Sequence, residues 1–114
     1  MNTTPLIEIT EANFDARVLL HCGVSVVEFW SASCLPCRQM SRLLLQIAGE
    51  VSANVMIGQV DADKNLGLVG RFSIRALPTL LLFKKDALME TRTGIDRRQV
   101  LRKAIESYAG IENN

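Results

Sequence analysis

Two cysteines separated by two residues are the side chains in this sequence most suited to chemistry. Cys34 and Cys37 flank Leu35 and Pro36 and follow an apolar run that ends at Trp30. Two thiols at this spacing can close a small disulfide ring and reopen it by thiol–disulfide exchange. If a helix begins at the pair, its unpaired backbone N–H groups and its dipole stabilise a thiolate on the first sulfur. The pattern therefore predicts Cys34 as a nucleophile and Cys37 as a resolving thiol.

A zinc site is the main alternative interpretation of the pair. A structural zinc ion takes four ligands, and the remaining candidates, His21 and Cys22, are adjacent to each other and outside this loop. The sequence also contains no glycine-rich phosphate loop. We therefore predict redox chemistry with no metal, nucleotide or flavin cofactor. We interpret Cys22 as a core or loop cysteine and His21 as a surface residue.

The bulk composition predicts one ordinary soluble domain over residues 1–114. The chain is 48% hydrophobic and 22% charged, with a formal net charge of +1. A chain of this length can bury a hydrophobic core without disulfides or a structural metal. The charge balance gives no reason to expect nucleic acid or an acidic membrane surface as a partner. Residues 1–5 show neither the basic region nor the apolar region of a signal peptide, so we do not expect them to act as one, and we see no apolar run long enough to span a bilayer. Three cysteines, an odd number, fit the reducing cytoplasm better than a secreted disulfide framework. We also expect the protein to be a monomer.

The hydrophobic pattern predicts alternating strands and helices. The run from Val24 to Trp30, which only Ser25 and Glu28 interrupt, is typical of a central parallel strand. Apolar residues at helical spacing follow the cysteines, with Pro36 in the first turn. The other expected elements are strands at 6–9, 55–61, 80–83 and 87–93, and helices at 10–20, 64–70 and from about 97 to 108. The order β-α-β-α-β-α-β-β-α predicts an α/β fold, a mixed sheet with helices on both faces.

Several residues predict where the helices begin, end and face the core. Thr10 can cap the first helix, and Gly23 can end it in a left-handed conformation. Asp96 and Gln99 are spaced as a capping box for the last helix. The residues expected to face inward are Ala12, Phe14 and Val18 in the first helix and Val100, Leu101, Ala104, Ile105 and Tyr108 in the last.

Glu28 is the one acidic residue inside the apolar run. Burial without a cation raises the pKa of a carboxyl group, so that it can hold and exchange a proton near neutral pH. No lysine partner is evident that would explain Glu28 as half of an ion pair, and we therefore favour a proton-transfer role. The alternative is a structural carboxylate that turns out to solvent at the end of the strand.

Five blocks in order along the chain resemble the thioredoxin family. They are Phe29-Trp30-Ser31-Ala32, Cys34-Leu35-Pro36-Cys37, Val60-Asp61-Ala62-Asp63, Ile74-Arg75-Ala76-Leu77-Pro78-Thr79-Leu80 and Gly94. The resemblance covers residues 6–108 and implies the thioredoxin fold. It also implies an enzyme that reduces protein disulfides and is recycled by a thioredoxin reductase. The chain departs from the family where Ser33 replaces a tryptophan, Leu35 a glycine and Gln59 a lysine.

The same resemblance assigns roles around the cysteine pair. Glu28 would accept the proton of Cys37, through water. Pro78 would be a cis-proline facing the disulfide, although a trans proline at a strand start is commoner from sequence alone. Leu77 would offer its backbone N–H and C=O to an extended substrate segment. The residues implied for substrate binding are Trp30, Leu35, Pro36, Leu77, Pro78, Gly94 and Ile95, with Trp30 more a packing residue than a catalytic one.

Two other functions remain open from the sequence. A disulfide oxidase or isomerase is favoured by Glu28, which resembles the protein disulfide isomerase branch, and by the changes at Ser33 and Leu35. Against it, Leu35 and Pro36 leave the loop without the imidazole of the more oxidising family members. A protein-binding module could use the apolar patch with little redox role. The basic residues of the last helix are interpreted as a solvated face, namely Arg97, Arg98, Arg102 and Lys103.

Overall fold

Five strands form one mixed sheet in the computed structural model, which describes residues 6–110. The strands are β1 (Ile7–Glu8), β2 (Val24–Trp30), β3 (Val55–Asp61), β4 (Thr79–Lys84) and β5 (Ala87–Thr93). They lie in the order β1-β3-β2-β4-β5. Strands β1, β2 and β3 are parallel, whereas β4 runs antiparallel to β2 and β5 antiparallel to β4. The sheet is thus the mixed sheet predicted from the sequence.

Helices cover both faces of this sheet and close two apolar cores. Helices α1 (Leu35–Ala48) and α3 (Arg98–Ala109) cover one face, and a π-helical turn (Asp15–Leu19) and α2 (Leu66–Arg71) cover the other. The first core includes Val24, Val26, Met40, Leu44, Ile47, Leu101 and Ile105. The second includes Phe14, Val18, Val27, Phe29, Val60, Leu68 and Phe83. None of the helices between residues 6 and 110 is long and apolar enough to cross a membrane.

Strand β2 occupies the middle of the sheet and spans the residues predicted for it. Successive side chains of a strand point to opposite faces, and both faces of β2 are covered, which explains its nearly continuous apolar run. Val24 and Val26 belong to the core under α1 and α3, and Val27 and Phe29 to the opposite core. Glu28 shares the face of Val26, so its carboxyl group is directed toward the α1 side of the sheet.

The first predicted helix is wrong in extent and type. Residues 11–13 form turns, and the regular part is only the π-helical Asp15–Leu19, in which the N–H of Leu20 donates to the Asp15 carbonyl at 3.0 Å. Thr10 is not a cap. The N-cap residue of the π-helical turn is Phe14, and the N–H of Thr10 donates to Oδ1 of Asn13 at 2.8 Å in the preceding turn. The predicted inward residues Phe14 and Val18 are buried, and Ala12 is exposed.

Gly23 is required for close approach and not for a left-handed turn. Among the glycines in residues 6–110, only Gly94 has a positive φ. A Cβ on Gly23 would lie 2.1 Å from the carbonyl oxygen of Asn54. That carbonyl accepts the N–H of Val24 at 3.1 Å, where β2 begins. The glycine therefore lets the start of β2 pack against the loop before β3.

The predicted capping box of the last helix is also wrong. The Asp96 carboxylate accepts charge-assisted hydrogen bonds from Nε and Nη2 of Arg92, at 3.2 and 2.7 Å, and its Oδ1 accepts the N–H of Arg97 at 3.2 Å. Helix α3 begins at Arg98, after an N-cap residue, Arg97, that makes no side-chain capping bond. Val100 is exposed, whereas Leu101 and Ile105 are buried as predicted. The predicted 64–70 helix is Leu66–Arg71.

Candidate active site

The cysteine pair lies where strand β2 passes into helix α1. Cys34 is the N-cap residue of α1, and Leu35 and Pro36 occupy its first two positions, where the missing proline N–H is no loss. Cys34 and Cys37 form a disulfide with a Cα–Cα distance of 5.3 Å. Cys37 is only 1% exposed, whereas Cys34 is partly exposed. The two cysteines thus differ in accessibility.

The start of α1 provides a favourable environment for an anion on Cys34. The backbone N–H of Cys37 donates to Sγ of Cys34 at 3.2 Å. The first turn of α1 contains no acidic residue that would oppose the positive end of the helix dipole. A thiolate at this position would therefore be stabilised by a donor and by the dipole together.

The carboxyl group of Glu28 is fully buried beneath α1. Its Oε1 accepts hydrogen bonds from the Ser41 hydroxyl at 2.9 Å and from Nε2 of Gln59 at 3.0 Å. Its Oε2 is buried and has no hydrogen-bond partner among residues 6–110. Burial raises the pKa of Glu28 to about 7, against the lowering effect of the bonds from Gln59 and Ser41. The alternative in which this carboxylate turns out to solvent is therefore wrong.

The residue beside Glu28 on the neighbouring strand is a neutral amide. Gln59 is the register partner of Glu28 in the β2–β3 pair. Within the described part of the chain, no lysine or arginine forms an ion pair with Glu28. The acid is thus stabilised by hydrogen-bond dipoles alone, which explains why burial dominates its pKa.

A cavity of about 450 Å³ connects the resolving cysteine with the partners of the buried acid. Its wall includes Cys37 together with Ser41 and Gln59, the two donors to Glu28. Trp30 also lines this cavity. The cavity is large enough for water, and its wall offers polar groups that a water molecule could bond.

The loop before β4 is held at the same edge of the sheet as the disulfide. Register places Phe29 of β2 beside Thr79 of β4, and Thr79 beside Thr93 of β5. The residues next to these, Pro78 and Gly94, therefore lie at the edge where β2 leads into the cysteines. The Leu77–Pro78 peptide is cis, as the family resemblance implied, and the Pro78 carbonyl accepts the N–H of Gly94 at 2.9 Å.

The apolar residues predicted for substrate binding are accessible to different degrees. Leu35 is 66% and Ile95 46% exposed, whereas Leu77 is half-buried. In the described part of the chain, neither the N–H nor the C=O of Leu77 has a hydrogen-bond partner. Gly94 has φ +83°, a conformation that favours glycine and turns the chain before Ile95.

The sequence analysis did not assign a role to Ser41. Its spacing of four residues from Cys37 places both side chains on one face of α1, and this was the available signal. Cys22 is a free, exposed cysteine in the loop before β2. His21 lies 3.1 Å from the Ser25 hydroxyl through Nδ1, and partial burial lowers its pKa. Within residues 6–110, no three His, Cys, Asp or Glu side chains form a group that could hold a metal ion.

Several known proteins match this chain over most of its length. The thioredoxin family profile matches residues 5–107. A thioredoxin of Buchnera aphidicola (subspecies Acyrthosiphon pisum) is 32% identical over 101 residues, 89% of this chain and 94% of that protein. Thioredoxin 2 of Chlorobaculum tepidum is 28% identical over 90% of this chain and 94% of its own. A mutant thioredoxin structure from Halobacterium salinarum superposes with a TM-score of 0.83 at 24% identity, covering 92% of this chain and 91% of that one.

The chain belongs to the thioredoxin family, and its sheet order and helix placement are the thioredoxin fold. Members of this family are protein disulfide oxidoreductases, and Cys34 and Cys37 lie within disulfide distance at the start of α1. The protein is therefore a thiol–disulfide oxidoreductase with a redox-active cysteine pair.

Proposed function

We propose that this protein reduces disulfides of cytoplasmic proteins, with Cys34 as the nucleophile and Cys37 as the resolving thiol. The observation that carries the assignment is the asymmetry of the pair. Cys34 is partly exposed and receives a backbone hydrogen bond at the start of α1, whereas Cys37 is almost fully buried behind it. A substrate disulfide can therefore approach the first sulfur more easily than the second.

The reaction consists of two exchanges that pass two electrons to the substrate. The Cys34 thiolate attacks one sulfur of the substrate disulfide, and the other substrate sulfur leaves as a thiolate. This forms a mixed disulfide between Cys34 and the substrate. Cys37, once deprotonated, attacks Sγ of Cys34 and releases the second substrate sulfur. The products are a reduced substrate and the Cys34–Cys37 disulfide.

Glu28 is the proposed acceptor of the Cys37 proton. Its pKa of about 7 means that both of its protonation states are populated near neutral pH. The cavity that Cys37 shares with Ser41 and Gln59 gives room for a water that would relay the proton. Glu28→Gln should slow the second exchange near neutral pH while the first exchange stays fast. An unchanged pH–rate profile for the second exchange would count against this role.

Substrate docking is proposed at the backbone of Leu77 and the apolar patch around Cys34. The unpartnered N–H and C=O of Leu77 could pair with an extended substrate segment as an added strand does. The patch consists of Trp30, Leu35, Pro36, Leu77, Pro78, Gly94 and Ile95. An external dithiol donor, by family resemblance a thioredoxin reductase, would reduce the protein again. We propose that it acts as a monomer and without a bound cofactor.

Trapping of the mixed disulfide tests the two cysteine roles. The experiment uses the Cys22→Ser background, because Cys22 is a free, exposed thiol that could give false adducts. Cys37→Ser should accumulate a mixed disulfide with a substrate protein on a non-reducing gel, and Cys34→Ser should not. Normal turnover by Cys37→Ser, or retained reduction by Cys34→Ser, would contradict the assignment.

The direction of the reaction is tested by the redox potential of the pair. The loop residues between the cysteines, Leu35 and Pro36, carry no titratable group that would stabilise the reduced form further. We expect a potential as low as that of the cytosolic thiol pool or lower, measured by equilibration with glutathione in the Cys22→Ser variant. A clearly oxidising value would instead favour the oxidase or isomerase function. Full partner binding by a Cys34→Ser, Cys37→Ser double variant would favour a binding module.

A further inference from the structure

Ser41 makes hydrogen bonds to both the buried acid and the helix turn that carries the resolving cysteine. Its Oγ lies 2.9 Å from Oε1 of Glu28 and 2.9 Å from the carbonyl oxygen of Cys37. Gln59 closes the network, because its Nε2 donates to the Ser41 Oγ at 2.9 Å and to Glu28 Oε1 at 3.0 Å. A hydroxyl has one hydrogen, so Ser41 can donate to only one of its two acceptors at a time.

The two oxygens of Glu28 are unequal as a result. Oε1 accepts from Ser41 and Gln59, whereas Oε2 is buried and has no partner among residues 6–110. A proton on Oε1 would displace one or both donors. A proton on Oε2 would keep both of these bonds but would leave the new hydroxyl without an acceptor, because Oε2 is buried and has no partner among residues 6–110. The hydrogen bonds of the ionised acid are therefore concentrated on Oε1.

We propose that Ser41 is a positioning residue for the proton-transfer step, which holds Oε1 of Glu28 and stabilises the ionised form of the acid. The inference rests on the proposed role of Glu28 and adds a residue to it. When Glu28 is ionised, the hydroxyl donates to Oε1, since bonds to a charged acceptor are the stronger ones. When Glu28 is protonated, the same hydrogen can turn to the Cys37 carbonyl. Ser41 thereby links the charge of the acid to the first turn of α1.

Among residues 6–110, no lysine or arginine forms an ion pair with Glu28, which makes its titration a usable readout. The cavity wall on the α1 side carries Cys37 and two exposed arginines, Arg38 and Arg42. Strand β4 presents apolar Leu80 in register with Glu28, and α3 contributes the buried Leu101 and Ile105 to this face of the sheet. A second cavity, which Gln59 also lines, has the charged residues Glu8, Asp61 and Lys64 in its wall. The pKa of Glu28 depends on burial and on the bonds from Gln59 and Ser41.

The test compares Ser41→Ala with Ser41→Thr. Loss of the hydroxyl removes a donor to the ionised acid, so Ser41→Ala should raise the pKa of Glu28 by about one pH unit. Ser41→Thr keeps the hydroxyl and should restore the wild-type value. Ser107→Ala is the matched control, because the Ser107 hydroxyl donates to a carbonyl within α3, that of Ala104, without contacting an acid.

Two measurements separate this inference from the function it rests on. The first is ¹³C NMR titration of the Glu28 carboxyl carbon in the oxidised protein, which needs no catalysis. The second is made in the Cys22→Ser background, because Cys22 is a free, exposed thiol. It follows the two phases of thiolate release when the reduced protein reacts with a small aromatic disulfide, the slower phase reporting attack by Cys37. The expected result is an upward shift of the NMR midpoint, and of the pH midpoint of the slower phase, in Ser41→Ala only.

Three results would overturn the role of Ser41. They are an unchanged NMR midpoint in Ser41→Ala, the same shift in Ser41→Thr as in Ser41→Ala, or an equal shift in Ser107→Ala. The NMR midpoint could shift as expected while the pH midpoint of the slower phase stays unchanged. Ser41 would then position Glu28, but the acid would not take the Cys37 proton. In that case the proposed proton-transfer role of Glu28 fails, and with it the catalytic part of this inference.

Discussion

The side-chain amide of Gln59 donates a hydrogen bond of 3.0 Å to Oε1 of Glu28 across the paired strands β2 and β3. The bond joins a buried acid to a neutral group, so it offsets only part of the cost of removing the carboxylate from water. Burial remains the largest effect on the pKa of Glu28, which rises from 4.5 to about 7. The ionised acid is thus a source of instability in the folded protein.

The first prediction is that the oxidised protein loses stability as the pH rises from about 4.5 to about 7. Below this pH window, Glu28 is protonated in both the folded and the unfolded protein. Within it the folded protein keeps a proton that the unfolded chain has lost, so raising the pH favours unfolding. The loss is complete above pH 7 and is of the order of 3 kcal/mol.

Urea unfolding of the oxidised protein at about pH 4 and about pH 8 measures this loss. The disulfide is kept closed so that its thiols do not titrate. Glu28→Gln has no carboxyl group at this position, so it should lack the fall in the free energy of unfolding that Glu28 causes. The variant should therefore become more stable relative to the wild type as the pH rises. Glu8→Gln, which changes an exposed carboxylate, should keep the wild-type pH dependence. A parallel pH dependence for Glu28→Gln and the wild type would show that burial of Glu28 has no energetic cost.

The second prediction concerns Leu35, which is 66% exposed at the start of α1. If this side chain is covered by a bound substrate, Leu35→Ser should raise KM for a protein disulfide about fivefold, because the buried apolar area is lost. The rate with a small disulfide should change less, because a small molecule covers little of the patch. Steady-state kinetics with both substrates give the comparison.

Leu20→Ser is the matched control for Leu35→Ser. Leu20 is 76% exposed, but it precedes β2 and so lies at the opposite end of that strand from the cysteines. It should leave KM for the protein disulfide unchanged. An equal rise in KM for the two variants, or none for Leu35→Ser, would remove Leu35 from the docking patch.

The third prediction compares two glycines. Gly23→Ala would place a Cβ 2.1 Å from the Asn54 carbonyl oxygen, so backbone must shift, and we expect a loss of about 1–3 kcal/mol in the free energy of unfolding. Gly70 lies in α2, where a Cβ would meet no atom within 4 Å, and Gly70→Ala should stabilise by about 0.5–1 kcal/mol. Urea unfolding of both variants checks the signs. A neutral Gly23→Ala would mean that the loop before β3 adjusts freely.

Local sequence pattern was enough to predict several parts of the site. The apolar run predicted β2 at its observed bounds, and the cysteine spacing placed Cys34 and Cys37 at the start of α1. The hairpin partner was likewise predicted at the observed Ala87–Thr93. These features follow from neighbours along the chain, because strand burial, helix periodicity and turn residues act over a few positions.

Elements with competing local bonds were harder to predict. The segment from Thr10 to Asn13 forms turns, and the N-cap residue of the first helical turn is Phe14. In the last helix, Arg92 bonds the carboxylate of Asp96 that was expected to cap α3, and the N-cap residue is Arg97. The pattern of residue types alone cannot rank two possible partners for one side chain.

The environment of Glu28 depends on tertiary structure. Its sequence neighbours predicted a buried acid without a lysine, but its donors, Ser41 and Gln59, are 13 and 31 residues away along the chain. The need for glycine at position 23 also depends on tertiary structure, because the loop before β3 lies against Gly23 and leaves no room for a side chain. Strand register and helix packing bring these groups together, and hydrogen bonds of about 3 Å depend on that arrangement more than on residue type.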